Sequence, residues 1–189
     1  MIIWISGPTG SGKSTLAGHL GGLGYDIVRE ELPPDLFRAF RADPAKHCAS
    51  LQEAIMLSRL AQWKRVAGRA NVAFDRSVDE DINVFCRMHH ERGLLNFAAY
   101  ARLRSFAEGV VTELPRPDLI AFLSPPIDVL RARMQSIGHP EMIIDGLARQ
   151  VALYEEWVRG RQEPMIRIDN SACSTSALES FFGGGKEAS

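Results

Sequence analysis

The chain has 189 residues, of which 46% are hydrophobic and 24% charged, and its formal net charge is −1. This length suits one domain, and the composition excludes a disordered chain, a collagen-like chain and a disulfide scaffold. The near-neutral charge argues against a protein that coats nucleic acid or an anionic membrane through bulk electrostatics.

Cysteine content and hydropathy indicate the compartment. The 3 cysteines are widely spaced and odd in number, which predicts neither a disulfide framework nor a zinc site. The first apolar run, residues 1–5, is too short for a signal peptide and lacks its basic flank. No run approaches the roughly eighteen apolar residues needed to cross a bilayer. The sequence therefore predicts a cytoplasmic globular domain that binds neither membrane nor nucleic acid.

Apolar runs alternate with helical patterns along the chain. Strands are predicted at residues 2–5, 25–28, 71–74, 119–123 and 165–168. Helices are predicted at residues 13–20, 36–42, 45–66, 80–91, 97–113, 127–135, 145–158 and 176–182, followed by a flexible tail at 183–189. This order predicts a single α/β domain over residues 1–182, a parallel five-stranded sheet with helices on both faces.

A phosphate-binding loop follows the first predicted strand and opens the first helix. Gly7, Gly12, Lys13 and Ser14 fill the pattern G-x-x-x-x-G-K-[ST]. Glycines let backbone N–H groups surround an anion, and the helix N-terminus adds positive potential. Lys13 is placed to neutralise phosphate oxygens, and Ser14 to reach a magnesium ion. The motif predicts a site for a nucleoside triphosphate with Mg²⁺, formed by Gly7, Pro8, Thr9, Gly10, Ser11, Gly12, Lys13, Ser14 and Thr15.

The phosphate loop alone does not identify the reaction, because GTPases, motor ATPases and small-molecule kinases share it. The guanine-reading Asn-Lys-x-Asp motif of GTPases is missing from the sequence. Motor ATPases are usually longer and have a strand ending in Asp-Glu, whereas here Asp75 is followed by Arg76. Chain length and this acid–arginine pair favour a kinase of small metabolites.

Four features in chain order resemble the deoxynucleoside kinase family. They are the phosphate loop, the acidic strand end at residues 28–31, Gln52 with residues 57–60 on one long helix, and Asp75-Arg76-Ser77 with Asp81 beyond it. The resemblance runs to about Asp169. It implies a P-loop kinase fold with a short helical lid, ATP and Mg²⁺ as cofactors, a small-molecule deoxynucleoside substrate, and a homodimer.

Phosphorylation of a sugar hydroxyl needs a carboxylate to orient and deprotonate it. Glu30, at the carboxyl end of the second predicted strand, suits that role, and Glu31 stays an alternative because the proline that follows this glutamate in the family is missing. Asp75 would hold the metal or its water, unless it only caps the next helix. Arg76 would steady the phosphate or the base carboxylate.

Gln52 and Arg59 are seven residues apart and project from nearly the same helix face. A glutamine amide can read a base edge, and Arg59 can pair with Asp81 to bind another edge. In the family such a pair is similar to that of enzymes accepting deoxycytidine or purine deoxynucleosides rather than thymidine. The alternative is a structural salt bridge between two helices.

The lid departs from the family pattern. Arg133 matches the first lid arginine, but Ile137 and His139 stand where the family has two more, and Glu141 stands where it has an acid for the sugar 3′-hydroxyl. Arg131 or His139 would have to compensate.

The resulting prediction is ATP- and Mg²⁺-dependent phosphorylation of a deoxynucleoside 5′-hydroxyl, with Lys13, Glu30, Arg76 and Arg133 catalytic. The alternatives are a nucleoside monophosphate kinase of thymidylate-kinase type and an accessory nucleotide-binding protein with weak or no transfer activity.

Overall fold

The computed structural model describes residues 1–171, and within them the chain forms a five-stranded parallel sheet. The strands are β1 Ile2–Ser6, β2 Asp26–Val28, β3 Val72–Asp75, β4 Leu119–Leu123 and β5 Met165–Ile168. All five predicted strands and the parallel arrangement are confirmed. The helix predicted at residues 176–182 and the tail at 183–189 lie outside the described residues.

Helical segments connect the strands. They are α1 Lys13–Gly22, α2 Pro34–Ala42, α3 Pro44–Val66, α4 Val78–Glu80, a π-helical turn Asp81–Cys86, α5 Arg87–Glu91, α6 Phe97–Glu113, α7 Ile127–Ser136, α8 Glu141–Asp145 and α9 Leu147–Arg159. Two features differ from the prediction: the helix expected at 80–91 contains the π-helical turn, and α8 was not expected. None of the described helices is long and apolar enough to span a membrane.

Both faces of the sheet are buried, as alternation along β1 illustrates. Ile3 and Ile5 pack with Leu16 of α1 in one core cluster. Trp4, between them in the chain, packs with Leu153 of α9 in another. Successive side chains of a strand point to opposite faces, so one strand joins two helical layers through a central sheet.

The strand order β2-β3-β1-β4-β5 makes β1 the point where the topology reverses. From β1 the chain first builds β2 and β3 on one side, then β4 and β5 on the other. Because all strands are parallel, their carboxyl ends share one edge, where ligands of open α/β sheets bind. The phosphate loop follows the carboxyl end of β1, and Glu30 follows that of β2. Asp75 is the last residue of β3.

Candidate active site

The phosphate loop fills the connection between β1 and α1, and two of its glycines are required sterically. Gly12 precedes α1 with φ 98°, and no side chain caps the helix, so its first N–H groups are open to an anion. A Cβ on Gly12 would lie 2.2 Å from the Asn170 side chain, and one on Gly7 2.4 Å from the Leu123 carbonyl oxygen. Larger residues would push the loop away from β4 and the segment after β5.

Lys13 folds back over the loop that contains it. Its ammonium donates hydrogen bonds to the carbonyl oxygens of Gly7 at 2.9 Å and Pro8 at 2.8 Å. Burial lowers the pKa of Lys13 to about 7, and the nearby Arg76 adds to the lowering, against the acids around it. The negative charge of a bound triphosphate would raise the pKa of Lys13 and so favour its protonated form.

Ser14 and Asp75 lie together beside the phosphate loop. The Ser14 hydroxyl is 3.5 Å from Oδ2 of Asp75. The other carboxylate oxygen, Oδ1, is buried and has no hydrogen-bond partner in the described chain. A hydroxyl and an under-coordinated carboxylate are the oxygen donors that Mg²⁺ takes beside nucleotide phosphates. These residues therefore fit the predicted metal site.

Glu30 is clamped between two buried arginines. Its Oε1 accepts from Arg59 at 3.2 Å and its Oε2 from Arg76 at 3.2 Å. Burial raises the pKa of Glu30, but Arg76, Arg59 and Lys13 outweigh it and the pKa is lowered. The neighbouring Glu31 is exposed and does not line the cavity described below. Of the two candidate bases, Glu30 is the one that the structure joins to the other site residues.

Arg59 and Asp81 form the ion pair that the spacing suggested. The guanidinium donates to Asp81 in bidentate fashion, from Nε at 2.5 Å and Nη2 at 3.0 Å, and both side chains are buried. Nη1 of Arg59 also donates to the carbonyl oxygen of Asp75 at 3.0 Å. Asp81 lines the cavity described next, whereas Arg59 is not among its described lining residues. The arginine thus holds a carboxylate at the cavity wall.

A cavity of about 240 Å³ extends from the phosphate loop into the helical layer. This volume is slightly below the roughly 300–1,000 Å³ usual for ligand pockets. Its polar lining residues are Thr9, Glu30, Gln52, Arg76, Asp81, His89, Arg92, His139 and Gln150. Apolar side chains that include Phe37, Phe40 and Phe85 complete it. Four predicted substrate-binding residues, Glu30, Gln52, Arg76 and Asp81, therefore meet in one space.

A larger cavity of about 720 Å³ lies elsewhere, lined largely by residues 111–116 and 160–163, which precede β4 and β5. It is therefore at the amino end of these strands, opposite the phosphate loop. Its charged residues Asp79 and Glu163 are paired with Arg161. The smaller cavity, at the carboxyl edge, is the candidate active site.

Two predicted site residues have other surroundings than expected. Glu141 is exposed at the start of α8 and is not among the described cavity residues, because this short helix packs through Ile143 and Ile144. Arg133 donates to the carbonyl oxygens of Gly10 at 3.3 Å and Asn170 at 2.5 Å. These contacts connect the phosphate loop to the segment after β5. Among the lid positions, Ile137 is 69% exposed, while His139 lines the cavity.

Three residues of the site were missed from the sequence. Gln150 accepts the Thr9 N–H at 2.8 Å and lines the cavity. Tyr154 and Glu80 are fully buried and bonded to each other at 2.9 Å. In the sequence Tyr154 belongs to an apolar stripe of a helix. Its hydroxyl could have indicated a polar contact, because a buried tyrosine hydroxyl needs a hydrogen-bond partner. Glu80 follows Ser77 at the spacing of a helix-capping box, which conceals any other role.

Comparison with known proteins identifies relatives of this chain. The family model described as deoxynucleoside kinase matches residues 3–179. A deoxyadenosine kinase of Dictyostelium discoideum is 31% identical over 175 residues, covering 88% of this chain and 71% of the relative. A deoxyadenosine/deoxycytidine kinase of Bacillus subtilis is 27% identical over 168 residues, covering 84% of this chain and 77% of the relative.

The fold is also that of a solved structure. A deoxyadenosine kinase from M. mycoides, with the products dCMP and a flexible dCDP bound, superposes with a TM-score of 0.83 at 23% identity, covering 97% of each chain. The same protein with dATP bound gives the same score. The single α/β domain with its parallel five-stranded sheet is therefore the architecture of that kinase.

Proposed function

Because this chain belongs to the deoxynucleoside kinase family, we propose that it transfers the γ-phosphoryl group of ATP to the 5′-hydroxyl of a purine deoxynucleoside or deoxycytidine. One observation carries the proposal: a single cavity has Thr9 of the phosphate loop, the acid Glu30 and the amide Gln52 in its wall. Groups suited to a phosphate, a sugar hydroxyl and a base thus share one continuous space.

Glu30 is the base of the proposed reaction. Its lowered pKa keeps it ionised at neutral pH, so it can accept the proton of the 5′-hydroxyl. The 5′-oxygen attacks the γ-phosphorus, the bond from that phosphorus to the β–γ bridging oxygen breaks, and ADP leaves. A weakly basic carboxylate suffices, because positioning and electrostatics dominate phosphoryl transfer.

Positive charge around the transferring group comes from the chain itself. Lys13 and the N–H groups at the start of α1 hold the phosphates, and Arg76, which donates to Glu30, adds a positive charge near Lys13. The oxygen donors Ser14 and Asp75 would hold Mg²⁺, which would supply further positive charge to the bound phosphates.

Base preference rests on the inner part of the cavity. Gln52 is buried and offers an amide, which can donate and accept at a base edge. Asp81, held by Arg59, offers a fixed acceptor. Relatives named deoxyadenosine, deoxycytidine and deoxyguanosine kinases match this chain, which supports these acceptors over thymidine.

The remaining parts of the proposal concern cell and assembly. We place the protein in the cytoplasm, where its buried free thiols Cys48 and Cys86 would stay reduced. We expect a homodimer, as the family resemblance implies, and no association with nucleic acid or membrane.

The test is ADP formation from ATP and Mg²⁺ with deoxyadenosine, deoxyguanosine, deoxycytidine and thymidine, and with their 5′-monophosphates. We expect turnover with at least one of the first three nucleosides, less with thymidine, and none with the monophosphates. Lys13→Ala should lower turnover about 10²–10³-fold, since it removes a charge that acts on the phosphate oxygens. Lys46→Ala, at an exposed lysine of α3, is the matched control and should not change turnover.

Two results would contradict the proposal. Turnover with monophosphates alone would make the protein a nucleoside monophosphate kinase. Tight ATP binding without turnover of any acceptor would favour an accessory nucleotide-binding protein, and would direct attention to Ile137 and His139 in the lid.

A further inference from the structure

A buried polar network lies behind the arginine of the active site. The hydroxyl of Tyr154 is 2.7 Å from Nη1 of Arg76 and 2.9 Å from Oε1 of Glu80. Oε2 of Glu80 accepts from the hydroxyls of Ser6 at 2.9 Å and Ser77 at 3.1 Å. Tyr154 and Glu80 are both 0% exposed, and neither is among the described residues lining the cavity. Neither group can therefore contact a ligand in this cavity, and their hydrogen bonds reach its wall through Arg76.

The chemistry of the groups fixes the direction of these hydrogen bonds. A guanidinium only donates, so the Tyr154 oxygen accepts from Arg76. The single phenolic proton is then left for Glu80, which takes hydrogen bonds from three hydroxyls. Such a pattern suits an ionised carboxylate: burial raises the pKa of Glu80, and the charge of Arg76 and the hydrogen bond from Tyr154 oppose that rise. The network runs in one sense, from Arg76 through Tyr154 to Glu80, and each bond polarises the next.

Arg76 itself is held in an unusual conformation. Its φ of 72° is in the left-handed region, which residues with a Cβ rarely adopt. Its guanidinium lies over the Phe85 ring, 4.6 Å from the centroid. Nε donates to Glu30 and Nη1 to Tyr154, whereas Nη2 donates to no group in the described chain. Two of the three nitrogens are thus fixed by the protein, and the third is free for a substrate oxygen.

Helix capping alone does not account for the network. Ser77 caps α4, since its hydroxyl accepts the Glu80 N–H at 3.2 Å. A cap needs only these two residues, yet Glu80 also binds Ser6 at the end of β1 and Tyr154 of α9. Three elements converge on Glu80, which Tyr154 connects to Arg76 at the cavity wall, and this convergence indicates a role in the geometry of Arg76.

We propose that Tyr154, anchored by Glu80, is a positioning residue that fixes the guanidinium of Arg76 for phosphoryl transfer. The proposal rests on the proposed kinase reaction. Without the phenolic hydroxyl, Arg76 keeps Glu30 as its one hydrogen-bonding side chain and is free to turn toward it. The nucleoside and ATP sites remain, but the third nitrogen no longer has a fixed direction.

The test compares Tyr154→Phe with Trp157→Phe. Phenylalanine at 154 keeps the ring that packs against Phe122 and loses only the hydroxyl. Trp157 is also buried on α9, where its ring packs against Tyr154, and its Nε1 donates to Asp79 at 3.1 Å. Trp157→Phe therefore keeps an aromatic ring beside Tyr154 and removes a partly buried hydrogen bond that does not involve Arg76. Steady-state kinetics with the preferred deoxynucleoside are measured for both variants, together with their thermal midpoints.

We expect Tyr154→Phe to lower kcat at least about tenfold, the size of a lost hydrogen bond to a charged group, while both KM values stay within about threefold. Trp157→Phe should keep kcat within about twofold of wild type at a similar loss of thermal midpoint. Glu80→Gln, which removes the anchoring charge at nearly constant shape, should lower kcat in the same direction as Tyr154→Phe.

A kcat of Tyr154→Phe equal to that of wild type or of Trp157→Phe would overturn the positioning role and leave the kinase assignment intact. An equal loss of kcat in both variants would likewise show that packing of α9, and not the phenolic hydroxyl, is what matters. Absence of wild-type turnover with every deoxynucleoside would instead overturn the proposed function, and this inference with it.

Discussion

Glu30 and Glu31 are adjacent carboxylates in different surroundings, so substituting each in turn tests which of them is the catalytic base. Glu30→Gln should lower kcat about 10²–10⁴-fold, the usual contribution of a positioned acid or base, because an amide cannot accept the 5′-hydroxyl proton. Glu31→Gln changes the same group one position further on, where it is exposed, and should leave kcat unchanged. The measurement is steady-state kcat of the two variants at saturating ATP and nucleoside.

The comparison also has an outcome that contradicts the assignment. If Glu31→Gln loses activity and Glu30→Gln keeps it, Glu30 is only the counter-ion of Arg59 and Arg76. Circular dichroism and the thermal midpoint serve as the folding control, since removing a charge between two buried arginines also costs stability.

At the scale of single residues, those next to strand ends could be predicted from the sequence, and those buried within helices could not. Glu30 and Asp75 are at or just after the carboxyl ends of strands, where ligands of α/β proteins bind. The sequence therefore predicted that both belong to the site. The sequence left Glu30 and Glu31 unresolved, because only the two arginines that contact Glu30 tell them apart. Glu80 and Tyr154 were missed since they are far apart in sequence and look like a helix cap and a core aromatic residue.

Helix α1 offers a test of how the phosphate loop depends on glycine. Gly18 is exposed in the interior of this helix with open space around its Cα, so Gly18→Ala should stabilise the protein by about 0.5–1 kcal/mol. That corresponds to a rise of about 1–4 °C in thermal midpoint for a chain of this size. Gly12→Ala should instead destabilise the fold and abolish ATP binding, because φ is 98° and the new methyl group would meet Asn170. The two variants add the same methyl group, one just before the first turn of α1 and one in its interior.

Thermal denaturation and ATP titration calorimetry distinguish the two variants. Loss of ATP binding in Gly18→Ala would mean that α1 as a whole, and not its first turn, supports the phosphates. Unchanged binding in Gly12→Ala would show that the loop can open away from Asn170 without losing its site.

At the scale of elements, periodicity predicted most helices within two residues at each end, but it could not predict the π-helical turn Asp81–Cys86. Periodicity analysis assumes 3.6 residues per turn, and a wider turn inside a helix leaves no local compositional mark. The turn matters because it contains Asp81 and Phe85, both of which line the cavity. Helix α8 was missed because it has only five residues and follows Pro140.

For the whole molecule, the topology divides the site between separate parts of the chain. The phosphate loop follows β1 and is braced by Gln150 and Asn170 from the last third of the sequence. The inner cavity is formed by α2, α3 and the π-helical turn, with Gln52 in its wall. The alternation of strands and helices predicted this class of fold. The contacts of distant segments with the phosphate loop depend on tertiary packing, which local sequence patterns do not predict.

This division predicts that the two ligands stabilise the protein independently. A ligand at 100 times its dissociation constant adds about 2.7 kcal/mol, or about 5–11 °C in thermal midpoint for a chain of this size. Wild type should show such a shift with ATP and Mg²⁺ alone and with deoxyadenosine alone. Lys13→Ala should lose the ATP shift and keep the nucleoside shift, and Gln52→Leu should do the reverse, because each residue lies in only one part of the site. If Lys13→Ala abolished both shifts, phosphate loop and cavity would behave as one cooperative unit, and the base would be bound only after the triphosphate had ordered the loop.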